Sequence, residues 1–355
     1  MKKNSKMLAM LMAGAMTILL AGCSSDKAAA KTEATEAEKT TAASEQTSEK
    51  ATEAETEAAT ADKTFKIGVI QLVQHAALDA ANEGFFAALD EAGVKYEADQ
   101  KNASGEQANC LTIAEKLVND KDDLILAIAT PAAQAVAGVT KDIPILLTAV
   151  TDPAESGLVN DNKNPGVNVS GTSDLTPVKE QIELLQKVLP EAKHIGLLYC
   201  SAESNSELQI SMAKEACDAA GITYEEYTVP SSNEIQSVVE SMVGKVDAIY
   251  VPTDNVIAAG MSTVAMIAND NKIPTICGEA GMVEAGGLAT YGIDYYQLGY
   301  MAGEQAVDIL VNDADITTMP IGYLPADRCE LTVNKTTADA LGIDISGLEN
   351  AVVVE

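Results

Sequence analysis

Polar side chains in this chain of 355 residues follow the ends of short apolar runs. Carboxylates can pair with an ammonium group, and hydroxyl and amide groups can orient a polar ligand. The side chains that could bind a polar ligand therefore lie at several separate positions and do not form one motif. These positions are Thr151, Asp152, Asp254, Asn255, Glu279 and Asp294.

Motifs for catalysis are missing from the sequence. It contains two histidines, His75 and His194, and no GxSxG, HExxH or GxxxxGK[ST] motif. The cysteines show neither CxxC nor metal-ligand spacing. We therefore predict no catalytic residue, no metal site and no cofactor. An enzyme assembled from residues distant in sequence is the alternative.

The apolar runs alternate with helical patterns, which predicts βαβ units. Residues 67–70 form a short apolar run, a polar segment from Gln71 to His75 follows, and an amphipathic helix then ends at Gly93. A second series of such units restarts near residue 195. We predict an α/β fold of two Rossmann-like lobes with parallel central sheets, joined by a three-segment hinge. The first lobe comprises residues 65–174 and 290–318, and the second 175–289 and 319–355.

Ligands bind at the carboxyl ends of strands in open α/β sheets, so the polar positions predict a cleft between the lobes. A helix begins at Thr130-Pro131-Ala132-Ala133, where its N-terminus and the Thr130 hydroxyl could hold a carboxylate. Four acids are candidates to pair with an ammonium group, namely Asp152, Asp254, Glu279 and Asp294. The other candidate ligand contacts are Gln71, His75, Thr151, Ser201, Asn205 and Asn255.

Each of these candidates also has a purely structural interpretation. Asp152 precedes Pro153, and its role could be limited to forming a turn. The role of Asp254 or Asn255 could be limited to capping the next helix. Residues 201–206 could equally be a capping cluster. The sequence leaves these alternatives open.

The N-terminus has the pattern of a processed bacterial signal. Three lysines precede an apolar run, and Leu-Ala-Gly-Cys23 resembles a lipobox. We predict a signal peptide over residues 1–22, a lipid on Cys23, and a disordered tether rich in Ala, Thr and Glu up to residue 64. The net charge of −30, with Arg328 as the only arginine, argues against binding to nucleic acid.

Several stretches resemble one family, the substrate-binding lipoproteins of ABC importers assigned to tryptophan or tyrosine uptake, with the type I periplasmic-binding-protein fold. They include Ala129-Thr130-Pro131-Ala132-Ala133-Gln134, Thr151-Asp152-Pro153, Gly171-Thr172-Ser173-Asp174, Val251-Pro252-Thr253-Asp254-Asn255 and Gly292-Ile293-Asp294-Tyr295. The resemblance covers residues 65–345 and adds Ser173 and Asp174 to the candidate ligand contacts.

The resemblance implies that an amino acid bridges two closing lobes and is delivered to the permease and ATPase subunits of an importer. It implies an extracytoplasmic protein, anchored to the outer face of the cell membrane by its lipid. The chain has no tryptophan and three phenylalanines, so tyrosines or His75 would have to stack on an aromatic ligand. A branched-chain amino acid, a purine or another small solute is the alternative ligand.

Overall fold

The computed structural model describes residues 63–325 and 328–355. The predicted signal peptide, the lipidated Cys23 and nearly all of the predicted tether lie outside the described residues. Among those described, no helix has the length and apolar character needed to cross a membrane.

Strands and helices alternate along most of the described chain. The strands are β1 (Phe65–Gln71), β2 (Tyr96–Asn102), β3 (Leu124–Ile128), β4 (Ile145–Val150), β5 (Val169–Ser173), β6 (His194–Cys200), β7 (Thr223–Val229), β8 (Ala248–Val251), β9 (Thr275–Cys277), β10 (Ala289–Gly292), β11 (Gly322–Tyr323), β12 (Glu330–Asn334) and β13 (Val352–Val354). The helices are α1 (Ala76–Glu91), α2 (Gln107–Asp120), α3 (Thr130–Val139), α4 (Val178–Val188), α5 (Ser204–Ala220), α6 (Ile235–Met242), α7 (Asn255–Ala259), α8 (Met261–Asp270), α9 (Ala280–Glu284), α10 (Tyr295–Leu310) and α11 (Lys335–Leu341).

The first lobe is built on a six-stranded sheet in the order β11-β5-β4-β3-β1-β2. All its pairings are parallel. Its central strands β3 and β4, with the sequences LILAI and ILLTAV, are buried along their whole length. Such continuous apolar runs are typical of parallel strands covered on both faces. The polar strand β2, YEADQKN, lies at the edge, where its side chains reach solvent.

The second lobe is built on a seven-stranded sheet in the order β13-β12-β10-β9-β8-β6-β7. Its strands run parallel except for the antiparallel pair of β10 and β12. The predicted fold class, two lobes with parallel central sheets, is therefore confirmed.

The chain passes between the lobes three times within the described residues: after β5, between β10 and α10, and between β11 and β12. Two strands differ from the predicted lobe boundaries. Ala289–Gly292 pairs in the second sheet and Gly322–Tyr323 pairs in the first. Strands of two to four residues bury little surface of their own, so their sequence does not indicate which sheet they join.

Helix α10 is held against α1 by glycines. A Cβ atom added at Gly299 would meet the backbone of Ala81, and one added at Gly84 would meet the backbone of Tyr296. The two helix backbones approach closely because neither glycine has a side chain. This contact holds the beginning of α10, with Tyr295, next to the crossing between the lobes.

Four of the described cysteines are buried free thiols: Cys110, Cys200, Cys217 and Cys277. Cys329 is partly exposed.

Candidate functional site

The carboxyl ends of the two sheets face each other across a closed cleft. Side-chain hydrogen bonds cross it at four places among the described residues. They are Gln107 Nε2 to the Ala202 carbonyl oxygen at 2.9 Å, Gln134 Nε2 to Ser204 Oγ at 3.4 Å, Gln209 Nε2 to Thr151 Oγ1 at 3.3 Å, and His75 Nε2 to Asn255 Oδ1 at 3.3 Å. Contacts of this kind are made only when the lobes are together.

One wall of the cleft is the first turn of α3. Thr130, Pro131, Ala132 and Ala133 are all buried there, and Thr130 Oγ1 has no hydrogen-bond partner within the described residues. The helix N-terminus carries a partial positive charge, and Pro131 occupies its first turn without sacrificing a backbone hydrogen bond. This turn is chemically suited to an anionic group such as a carboxylate.

The backbone beside the cleft is strained at two alanines. Ala129, which precedes Thr130, has a φ of 82°, and Ala149, two residues before Thr151, has a φ of 55°. The register between β4 and β5 also shifts between Leu147 and Val150. Alanine rarely adopts positive φ, so the surrounding structure must hold these residues in place. Such strain concentrates at ligand-binding positions.

A pair of buried carboxyl groups lies on the hinge side of the cleft. Asp174 Oδ2 accepts a hydrogen bond from the Tyr295 hydroxyl at 2.8 Å, while Oδ1 has no partner among the described atoms. Burial raises the pKa of Asp174 to about 6, although the Tyr295 and Thr151 hydroxyls act in the opposite direction. Glu279 caps α9, accepting from the N–H groups of Gly281 at 2.5 Å and Met282 at 2.9 Å.

The charge balance around this pair is negative. Burial raises the pKa of Glu279 to about 7, and the carboxylates of Glu284 and Asp174 add to the rise. Neither Asp174 nor Glu279 forms an ion pair with a lysine or arginine within residues 63–325 and 328–355. A cation that entered the cleft would supply the missing positive charge and lower both pKa values.

A second pair of buried acids, Glu203 and Asp254, lies within the second lobe. Asp254 Oδ2 accepts from Cys200 N at 2.6 Å and Ser206 Oγ at 2.7 Å, and its Oδ1 accepts from Ile257 N at 2.8 Å. These contacts occupy both oxygens and make Asp254 the N-cap of α7. The structural interpretation of Asp254 is therefore the one that its contacts support.

Glu203 is the partner of Asp254 and was not among the sequence candidates. Its Oε1 accepts from Val256 N at 3.0 Å, and its Oε2 accepts from the side-chain nitrogens of Asn255 at 2.5 Å and Asn205 at 3.2 Å. Burial, followed by the charge of Asp254, raises the pKa of Glu203 well above its ordinary value. A carboxyl group in the loop after β6 was the available signal, because Asp254 and Glu279 hold the same kind of position.

Three other candidates have local roles. Asp152 closes a turn, its Oδ1 accepting from Ala154 N at 3.0 Å and Asn162 Nδ2 at 2.9 Å. Asp294 is exposed and caps α10 through Gln297 N at 3.1 Å. Ser201 is also exposed. These side chains do not line the closed interior.

Two further candidates support the cleft through hydrogen bonds to neighbouring groups. Gln71 Nε2 donates to the Val73 carbonyl oxygen at 2.9 Å and to Asp79 Oδ1 at 2.7 Å, which orients the loop after β1. Ser173 Oγ donates to the Thr151 carbonyl oxygen at 2.7 Å and ties the ends of β4 and β5 together.

The polar face of α5 was predicted only in part, because Asn205 was a candidate whereas Gln209 was not. Asn205, Ser206 and Gln209 are all buried, and the spacing of four between Asn205 and Gln209 puts them on one side of the helix. Gln209 Oε1 accepts from Thr253 N at 3.0 Å, and its Nε2 reaches the hydroxyls of Thr253 and Thr151. The sequence signal for this buried polar face was the helical spacing of polar residues next to the apolar Ile210 and Ala213.

Two parallel-sheet lobes that meet at their carboxyl ends over buried, partly unsatisfied polar groups define a two-lobed solute receptor of the type I periplasmic-binding-protein fold. The model of the ABC transporter substrate binding protein family matches residues 66–353, and the chain belongs to that family.

Similar proteins are known by sequence and by structure. The chain is 38% identical to a tyrosine-binding protein of Clostridioides difficile, over 99% of this chain and 96% of that protein. It is 41% identical to the ABC domain in complex with L-Trp from Streptococcus pneumoniae, covering 82% of this chain and all of that one, with a TM-score of 0.79. It is 44% identical to the ligand-free, open structure of a substrate-binding protein from Clostridium difficile, covering 82% and 99%, with a TM-score of 0.63.

The L-Trp complex superposes on this chain better than the open structure does. The open structure has the slightly higher sequence identity but the lower TM-score. The lobe arrangement of this chain is therefore closer to that of the L-Trp complex, in agreement with the hydrogen bonds across its cleft.

Proposed function

We propose that this chain is the extracytoplasmic receptor of an ABC importer and captures an aromatic amino acid by closing its two lobes. The observation that carries this proposal is the chemistry of the closed cleft. It contains two buried carboxyl groups, Asp174 and Glu279, that form no ion pair with a lysine or arginine among the described residues. It also contains a helix N-terminus where the Thr130 hydroxyl has no partner in the same part of the chain. The ammonium group of an amino acid zwitterion complements the buried carboxyl groups, and its carboxylate complements the helix N-terminus.

The spacing of these groups supports the same proposal. Thr130, Thr151 and Asp174 follow β3, β4 and β5, which are adjacent in the sheet. Strands lie about 4.8 Å apart, so Thr130 and Asp174 are separated by roughly 10 Å, enough for the head group of an amino acid and a hydrogen bond on each side. The ammonium group is assigned to the Oδ1 atom of Asp174, which has no partner among the described residues. Glu279, whose two oxygens cap α9, adds negative charge beside it, and the ligand carboxylate is assigned to the start of α3.

Closure follows from these assignments. The ligand contacts both lobes, so it binds the closed state more tightly than the open one and shifts the population towards closure. The closed form is then the one that the permease and ATPase subunits receive. The aromatic side chain is inferred from the relatives, one named for tyrosine and one solved with L-Trp.

Titration with L-tryptophan tests the proposal directly. The chain contains no tryptophan, so all indole emission comes from the ligand. We expect the emission of L-tryptophan to change saturably on addition of the purified full-length chain in mild detergent, and L-tyrosine to compete. If no aromatic amino acid binds or raises the melting temperature, the proposal is wrong. A response to leucine or a purine alone would assign the alternative ligand class.

Matched variants separate the ammonium site from general effects of charge. Asp174→Asn should weaken binding of L-tryptophan by roughly 10-fold or more, because a buried ion pair is lost. Asp294→Asn removes the same charge from an exposed helix cap and should leave the affinity unchanged. Equal losses in both variants would contradict the assignment of the ammonium group.

The membrane anchor is a separate part of the proposal and depends on Cys23. Replacement Cys23→Ala should move the protein from the membrane fraction into the soluble extracytoplasmic fraction while ligand binding is kept. Retention of Cys23→Ala on the membrane would refute the lipid anchor.

A further inference from the structure

His75 and Asn255 form one of the hydrogen bonds that cross the cleft, His75 Nε2 to Asn255 Oδ1 at 3.3 Å. The other ring nitrogen, His75 Nδ1, is buried and has no hydrogen-bond partner within the described residues. A ring nitrogen of histidine acts either as a hydrogen-bond donor or as an acceptor. The role of Nδ1 therefore determines which ligand groups it can bind.

The surrounding network fixes the orientation of the Asn255 amide. Three other N–H groups already donate to the Glu203 carboxyl group, namely Val256 N at 3.0 Å, Asn255 N at 3.3 Å and Asn205 Nδ2 at 3.2 Å, so the carboxyl group faces the Asn255 side chain as an acceptor. The nitrogen of that amide, Nδ2, faces Glu203 at 2.5 Å, and its oxygen therefore faces His75.

The orientation of Asn255 in turn fixes the tautomer of His75. Because Asn255 Oδ1 can only accept, His75 Nε2 must carry the hydrogen atom and donate it. Burial lowers the pKa of His75 below its ordinary value, although Asn255 and the charge of Asp79 oppose this shift. The ring is neutral at neutral pH, and Nδ1 is left with an unshared lone pair that needs a donor.

A second acceptor in the same network is also without a donor. Asn205 Nδ2 faces the backbone carbonyl oxygen of Thr253 at 3.2 Å, so the orientation of this amide is fixed too. Its oxygen, Oδ1, is buried without a partner within residues 63–325 and 328–355. The network around Glu203 therefore contains two buried acceptors without a donor among the described residues.

We propose that His75 Nδ1 accepts a hydrogen bond from the side chain of the ligand, a phenol O–H or an indole N–H, and thereby selects tyrosine and tryptophan over phenylalanine. This inference rests on the proposed function, since it assumes an aromatic amino acid in the cleft. It specifies in addition that the aromatic side chain of the ligand carries a hydrogen-bond donor.

The energetic reason is the cost of a buried acceptor without a donor. Phenylalanine has the shape of tyrosine but no side-chain hydrogen-bond donor, so it would bury the lone pair of His75 Nδ1 without compensation. A site built to hydrogen-bond a ligand hydroxyl rejects the analogue without it much more strongly than a purely apolar pocket does. The ammonium group is the other donor of the ligand, but Asp174 offers it a carboxylate partner.

Two substitutions separate the roles of the two ring nitrogens. In His75→Gln, the terminal amide reaches about as far as Nε2 and can keep the contact with Asn255, but the Nδ1 acceptor is lost. In His75→Asn, the shorter amide can provide an acceptor near Nδ1, but the contact with Asn255 is lost. We would titrate both variants and the full-length wild type with L-tyrosine and L-phenylalanine by calorimetry.

The wild type should bind tyrosine roughly 10- to 100-fold more tightly than phenylalanine. His75→Gln should reduce this ratio to below about 3-fold, mainly by weakening tyrosine. His75→Asn should weaken both ligands by a similar factor and keep most of the ratio.

The outcomes distinguish this inference from the proposed function. If wild-type protein binds both amino acids equally, or if His75→Gln keeps the full ratio, the inference is wrong while the proposed function stands. If no aromatic amino acid binds the wild type, the proposed function itself fails, and this inference fails with it.

Discussion

The hydroxyl of Tyr295 donates a hydrogen bond of 2.8 Å to Asp174 Oδ2, although the two residues are 121 positions apart in the chain. Asp174 begins the first crossing between the lobes, and Tyr295 begins α10 just after the second. The bond therefore joins two hinge segments and orients the carboxyl group assigned to the ligand ammonium.

Loss of this hydroxyl should weaken ligand binding. Tyr295→Phe removes a donor that lowers the pKa of Asp174, so the carboxyl group would hold its proton to higher pH and pair less well with an ammonium group. We expect the affinity for L-tryptophan at pH 7 to fall by about 1 kcal/mol, measured by calorimetry. Tyr296→Phe changes the exposed neighbour on the same helix and should have no effect. An unchanged affinity in Tyr295→Phe would refute the role of this bond.

Ligand affinity should rise with pH between about 5 and 7. The pKa of Asp174 is raised to about 6 and that of Glu279 to about 7 in the absence of a cation. A bound ammonium group lowers both pKa values, so the complex holds fewer protons than the free protein and binding releases protons in this range. Calorimetry in two buffers of different ionisation enthalpy measures this release. Proton uptake on binding would contradict the assignment.

The ligand-free protein should lose stability as the pH rises, because of the buried pair in the second lobe. Burial raises the pKa values of both Glu203 and Asp254 above those of ordinary carboxyl groups. The folded state binds these protons more tightly than the unfolded chain, whose carboxyl groups titrate near pH 4. The free energy of unfolding contributed by this pair is therefore fully present below about pH 4 and is lost as the pH rises through the raised pKa values of the folded state.

Thermal unfolding between pH 5 and 8 measures that loss. Other carboxyl groups that form ion pairs have the opposite dependence, so the comparison is made with Glu203→Gln, in which the titrating group is absent. We expect a flatter dependence of the melting temperature on pH in this variant. An equally steep decline in Glu203→Gln would exclude Glu203 as its source.

Two helix-capping aspartates should differ sharply in their importance for stability. Asp254 is buried and accepts from three donors, and in Asp254→Asn the amide N–H₂ would face the backbone N–H of either Cys200 or Ile257. We expect a loss of about 2–3 kcal/mol in the free energy of unfolding, measured with denaturant. Asp294→Asn, at an exposed cap, should stay within about 0.5 kcal/mol because both residues cap helices well. Similar values for the two variants would contradict this description of Asp254.

Glycine at Ala129 should relieve backbone strain at the cleft. With a φ of 82° and a ψ of 152°, Ala129 occupies a region that glycine enters far more easily. Ala129→Gly should therefore raise the free energy of unfolding by about 1 kcal/mol. This value is the strain energy that is removed minus the cost of the larger conformational entropy that glycine gives the unfolded chain. Ala137→Gly, inside α3, is the control and should be destabilising. A lower melting temperature in Ala129→Gly would show that Ala129 is not strained.

Part of the candidate site was predictable because strand ends are visible in the sequence. Thr130, Thr151, Asn205, Asn255 and Glu279 were named from the residues that follow apolar runs, and all are buried at the closed cleft or directly beside it. The same rule also selected Asp152, Ser201 and Asp294, whose side chains make turns, face solvent or cap a helix. A residue type and its position along a strand do not indicate which way the side chain points.

The fold class was determined by the sequence itself. Alternation of apolar runs and amphipathic helices specifies parallel sheets, because only that arrangement buries both faces of strands such as β3 and β4. The acidic strand ends and the start of α3 were also readable, since they depend on neighbours in the chain.

Tertiary structure decided which groups are left without a partner. Asp254 is saturated by donors from Cys200, Ser206 and Ile257, whereas Asp174 keeps a bare oxygen, and nothing in the local sequence distinguishes these two acids. The pairing of His75 with Asn255, 180 residues away, likewise exists only when the lobes meet. Hydrogen-bond satisfaction depends on atoms brought together from distant segments, so it follows from the packing of the lobes and not from residue order.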